Sequence, residues 1–179
     1  PTELNAVLGI DPSIDLLTTD PVSKKGTSPE YDLLYEKGNQ LTVLAYSLQS
    51  TAGGSASASA DTFSSITKVL EESYEETQES PNIESKDFIS DVIDQVDETT
   101  QSQIPAERKA NIATALASVL PLIQVREGTT TNASVLNFAT TTLISDIEKI
   151  ADGTASSATV DQYDQAPTAY IADCLLYTS

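Results

Sequence analysis

The chain has 179 residues, 9 basic against 27 acidic, no histidine and a formal net charge of −18. That length holds one domain with a proper core, and so few basic side chains exclude a phosphate track, and with it nucleic acid, and disfavour anionic lipid surfaces. The missing histidine excludes Ser-His-Asp and Cys-His catalysis and most zinc sites, and no apolar run is long enough to span a bilayer.

Residues 2–8 carry the end of a helical pattern, with Gly9 as its left-handed C-terminal cap. Because the chain starts inside that pattern and without methionine, it reads as a fragment of a longer protein, truncated at both ends. Residues 10–27 form an irregular lead-in. Pro12 and Pro21 force Asp11 and Asp20 out of the helical region, and Ile10, Ile14, Leu16, Leu17 and Val22 are too apolar for a solvated loop. The expectation is a clamp, with Ile10, Ile14, Leu16 and Leu17 inserted between helices.

Ser28-Pro29-Glu30 is a helix start: a capping hydroxyl, proline in the first turn, then an acid. The helix over residues 29–50 carries Leu34, Leu41, Leu44, Ala45 and Leu48 on one stripe, flanked by Tyr31 and Tyr35. Gly38 inside it costs about 1 kcal/mol against alanine, which close approach of a neighbour would justify. The small residues of 50–60 read as a flexible or loosely helical connection.

Asp61 is expected to cap the next helix, with Phe63, Ile66, Val69, Leu70 and Tyr74 inward and Glu71, Glu72, Glu75 and Glu76 outward. After a turn at Pro81, Ser85 caps a helix that buries Phe88, Ile89, Val92, Ile93 and Val96. Asp87, Asp91, Asp94, Asp97 and Glu98 take its other face. Pro105 opens the strongest helix, burying Ile112, Leu116, Val119, Leu120 and Ile123, kinked by Pro121 and ended by Gly128. Residues 132–151 form the last long helix, with Leu136, Ala139, Leu143, Ile147 and Ile150 on its face and Gly153 closing it. A short pair follows over 158–165 and 167–173. The sum is all-α: an irregular bundle of about five main helices with an N-terminal irregular lead-in, forming a single helical domain over residues 1–173.

No catalytic or cofactor-binding residue is assigned. The stretch Ala52-Gly53-Gly54-Ser55 lacks the Lys-Ser/Thr finish of a phosphate loop. Glu71, Glu72, Glu75 and Glu76 lack the histidines of a di-metal bundle. Asp87, Asp91 and Asp94 share a helical face, unlike the alternating acids of a calcium loop. The better calcium candidates are Asp11, Asp15 and Asp20, because irregular backbone frees carbonyls beside carboxylates. The competing reading, and the favoured one, makes Asp11 and Asp20 turn residues before proline and Asp15 the cap of a short turn. No cofactor is assigned, and calcium is the one partner that the acidic charge invites.

Residues 9–22, Gly-Ile-Asp-Pro-Ser-Ile-Asp-Leu-Leu-Thr-Thr-Asp-Pro-Val, resemble a motif of large bacterial surface and adhesin-type proteins. In these a helical segment follows repeated β-sandwich modules, and a leucine-glycine, aspartate-leucine-threonine-threonine, aspartate-proline element precedes an alanine-rich helix. The resemblance covers residues 4–48 and is compositional beyond. It implies a secreted or surface-anchored multidomain protein of marine bacteria, extracellular or on the cell surface, in which this module is structural or adhesive and non-enzymatic. The implied partners are the neighbouring domains of the parent chain. The chain departs from the pattern by its acidity and by a Lys24-Lys25-Gly26 insertion. Two other classes stay open: a calcium- or ligand-binding extracellular domain, and a carboxylate-only hydrolase with an acid and base pair.

The last six residues, Cys174-Leu175-Leu176-Tyr177-Thr178-Ser179, resemble the translation of a transposon-end adaptor used in short-read library preparation. That makes residues 174–179 a foreign tail and leaves the native region without cysteine, as suits an exported protein that does not rely on disulfides.

Overall fold

Apolar residues recurring three and four positions apart bury one side of each helix, and these faces meet in an all-α body. The computed structural model describes residues 2–52, 56–125 and 131–176, and among them no strand occurs. Helix α1 spans Thr2–Leu8 and a short α2 spans Pro21–Lys24. The long helices follow: α3 (Pro29–Thr51), α4 (Ala56–Thr77), α5 (Lys86–Thr100) and α6 (Ala106–Val119). Helix α7 (Thr131–Phe138) runs through a π-helical turn, Ala139–Leu143, into α8 (Ile144–Asp152). Helices α9 (Ser157–Gln165) and α10 (Pro167–Leu176) complete the fold. Helix α3 packs on α4, α4 on α5, α5 on α6, α6 on α8 and α8 back on α3, closing a ring around the core. The short elements α1, α2, α9 and α10 make the helices more numerous than the five main ones expected.

The inner faces follow the predicted spacing closely. Phe88, Ile89, Val92, Ile93 and Val96 of α5 are all buried, as are Ile112, Leu116, Val119, Leu120 and Ile123. Ser85 caps α5, its hydroxyl accepting from the Phe88 N–H at 3.2 Å. Gly9 and Gly153 both take left-handed conformations at helix ends, with φ of 67° and 74°. The rod from α7 to α8 is continuous but widened. Thr140 and Thr141 donate their hydroxyls to the carbonyls of Leu136 and Asn137, and such back-bonding competes with the regular ladder.

Several expectations are corrected. Only Ile10 and Ile14 of the lead-in are buried, at 4% and 6% exposure; Leu16 is half-buried, while Leu17 and Val22 stand 85% and 69% exposed. Leu17 sits at the tip of a turn whose N–H is tied to Asp15, so its side chain points to water. Even Ile10 and Ile14 lie outside the main core cluster. The lead-in is therefore a flap folded onto α1 and not a clamp through the bundle. Its fastener is Asn5, a buried side chain that donates to the carbonyls of Asp11 and Ile14, both at 2.8 Å.

Helix α4 starts at Ala56, which places Asp61 inside the helix and leaves Phe63 half exposed. The Ser28 hydroxyl does not cap the α3 backbone; it bonds Glu30 and holds that carboxyl below its ordinary value. Gly38 meets open space, with nothing within 4 Å of where a Cβ would stand. Pro121 ends α6 instead of kinking it, because the chain tightens into a 3₁₀ turn over Leu120–Leu122. Buried Gln40 fastens this turn, its amide donating to the Leu120 carbonyl at 3.1 Å and to the Glu84 carboxylate at 2.7 Å. Gly128 and the Gly53-Gly54-Ser55 stretch lie outside the described residues.

Candidate functional site

Three groups of polar residues have defined geometry, and the lead-in acids are the first. An aspartate in irregular backbone tends to accept the N–H two residues on, and each of the three does so. Asp11 accepts from the Ser13 N–H at 2.8 Å, Asp15 from Leu17 at 3.0 Å and Asp20 from Val22 at 3.0 Å. Asp15 also takes the Thr18 hydroxyl at 2.8 Å. Bonds from Ser13 hold the Asp11 carboxyl below its usual value, and bonds from Thr18 and Leu17 do the same for Asp15. The fold does not gather Asp11, Asp15 and Asp20 into one ligand set: among the described residues no three potential metal-ligating side chains converge. The Lys24-Lys25-Gly26 insertion folds back on α3, with Lys24 and Lys25 over the rings of Tyr31 and Tyr35 at 5.8 and 4.8 Å from the centroids. Such stacking suits an ammonium on a flexible stem.

The second group is the acidic groove between α4 and α5, about 320 Å³, with Glu72, Glu76, Asp91, Asp94 and Glu98 on its walls. Burial, then the charges of Asp94 and Asp87, push the Asp91 carboxyl up. Asp97 does not belong to a solvated stripe. It pairs with Lys109 of α6 at 2.6 Å and accepts the Ile104 N–H at 2.9 Å. Burial pushes Asp97 up, but these bonds and the Lys109 charge outweigh it, and the net direction is down. Asp94 joins the same lysine at 2.9 Å. The acids on the inner edge of α5 thus fasten it to α6.

The third group escaped the sequence reading. Asp146, on the first turn of α8, is 6% exposed. Its Oδ2 accepts the phenol of Tyr163 at 3.0 Å and that of Tyr170 at 2.7 Å, and Lys149 Nζ stands 3.5 Å from Oδ1. The rings of Tyr163 and Tyr170 meet edge to face at 5.2 Å, and Phe138 meets Tyr170 the same way at 5.9 Å. Burial first, then the Asp146 charge, drives the Tyr163 phenol far above its ordinary value; burial and the bond to Asp146 do so for Tyr170. Both phenols therefore stay neutral and act as donors, tying α9 and α10 to α8. A signal was present: Asp146 lies three after Leu143 and four before Ile150, on the inward face of its helix. Cys174 of α10 packs at the edge of this cluster, and burial pushes its thiol up.

No helix among the described residues is long and apolar enough to cross a membrane. The fold and these sites define an all-α helical bundle. Comparison with known protein families, with curated proteins and with solved structures finds no match.

Proposed function

We propose that the chain is a non-enzymatic structural or adhesive module of a long secreted or cell-surface protein, working by holding its neighbouring domains in place. The observation that carries this reading is the use of the polar groups. Asp146, Asp97 and Gln40 each join helices, and Asp11, Asp15 and Asp20 each hold their own backbone turn. The outer faces of α4 and α5 present carboxylates to water, a skin that resists association through like charge. Recovering the reading frame around this chain tests the proposal. Flanking repeat modules and an export signal are expected, and an adjoining cytoplasmic enzyme domain without an export signal would overturn it. Millimolar calcium is expected to leave the melting temperature unchanged, since the lead-in carboxylates are committed to N–H donors.

A further inference from the structure

We propose that the pocket where α6, α8 and α9 meet binds a small zwitterion of the apolar α-amino-acid class, a function beyond the structural role above and independent of it. The pocket measures about 380 Å³, within the range of small-molecule sites, roughly 300–1,000 Å³. Its lining comes from Glu107, Arg108 and Asn111 of α6, Ile150 of α8 and Val160 and Asp161 of α9.

Arg108 is set in place from beneath. Its Nη1 donates to the Ala151 carbonyl at 2.9 Å, and the guanidinium lies so close over Gly153 that a Cβ there would stand 2.1 Å from Nη2. A side chain at this position would push the guanidinium aside. A guanidinium offers five N–H donors in a fixed fork, and this is the only intramolecular bond that Arg108 makes among the described residues. Asn111, Glu107 and Asp161 make no side-chain hydrogen bond or ion pair there either. The contrast with the next residue is direct: Lys109 is claimed by two aspartates.

Among the described residues, charges of both signs thus line one pocket without pairing, beside the apolar Ile150 and Val160. A simple anion would meet Glu107 and Asp161, and a simple cation would meet Arg108. A zwitterion satisfies both: its carboxylate faces Arg108 and the Asn111 amide, its ammonium faces Asp161 and Glu107, and its apolar side chain lies on Ile150 and Val160.

Titration calorimetry of the whole chain with L-leucine tests this, alongside 4-methylpentanoate, which lacks the ammonium, and 3-methylbutylamine, which lacks the carboxylate. Leucine is expected to bind, with both analogues weaker by about tenfold or more. Asp161→Asn, on an exposed position with no side-chain partner among the described residues, is expected to weaken leucine by about tenfold at unchanged melting temperature. Arg108→Lys should weaken it further, and Asp91→Asn in the acidic groove should change nothing. Absence of leucine binding at millimolar concentration, equal binding of the amine, or indifference to Asp161→Asn would each overturn the proposal.

Discussion

The lead-in and the C-terminal α8–α10 region are opposites. The lead-in has the most distinctive residue order in the chain, with two Asp-Pro steps and a run of leucine and threonine. Yet its carboxylates reach only two or three residues along, and its buried pair, Ile10 and Ile14, stays outside the main core. The C-terminal region reads as unremarkable helix, yet it holds the buried carboxylate Asp146 and the two phenols that close over it. A distinctive local order reports local turn chemistry. A buried polar network joins residues 17 and 24 positions apart; the local helical spacing marks Asp146 as inward-facing but does not name its partners.

The largest effect separating the two regions is expected at Asp146. Asp146→Ala leaves the buried Tyr163 hydroxyl and the half-buried Tyr170 hydroxyl without their acceptor, for a loss of about 3 kcal/mol, read by denaturant unfolding. A loss below about 1 kcal/mol would mean the phenols find other partners. Ile14→Asp should cost less, about 1–2 kcal/mol, because the flap can lift from α1 while the ring of helices stays folded. A full collapse of the bundle would restore the clamp reading of this segment.

The pH dependence sharpens the same contrast. The folded phenol of Tyr163 titrates above its ordinary value of 10.0, so the stability it contributes is complete below pH 10 and declines as pH rises through the folded value. The limiting slope is about 1.4 kcal/mol per pH unit for that group, and Tyr163→Phe should flatten the alkaline limb of the melting profile. On the acid side, Asp97 lies below its ordinary value of 3.8. Its contribution is present above that pH and is lost as pH falls through the folded value, so Asp97→Asn should shallow the acid limb. An unchanged alkaline profile for Tyr163→Phe would contradict the buried donor role. The smallest effect is Leu17→Asp, expected within about 0.5 kcal/mol of the parent, since that side chain already stands in water.

The helical class and the inner faces of α5 and α6 were legible because burial imposes a 3.6-residue period, which Phe88 to Val96 and Ile112 to Val119 follow. The caps at Ser85, Gly9 and Gly153 were legible because each depends on one residue type at one position. Asp61 was misread as a cap because α4 begins five residues before it, and Phe63 stands half exposed where an inward position was expected. Gly38 was given a packing role that open space does not support. Leu17 was misread because apolarity was counted and direction was not: the Asp15 turn decides where it points. Asp97, Gln40 and Asp146 take partners on other helices, brought together only by the ring of packed faces. The three lead-in aspartates were correctly seen as turn residues, and the fold leaves them apart.

Native-state amide exchange compares the two regions directly. Amides of α8 and those of α9 that pack beneath Tyr163 are expected to exchange only with global unfolding. Amides of residues 10–20 should exchange through a local opening that Ile14→Asp accelerates and Asp146→Ala leaves unchanged. Equal protection in the two regions, with the lead-in slowed to the global rate, would contradict the account.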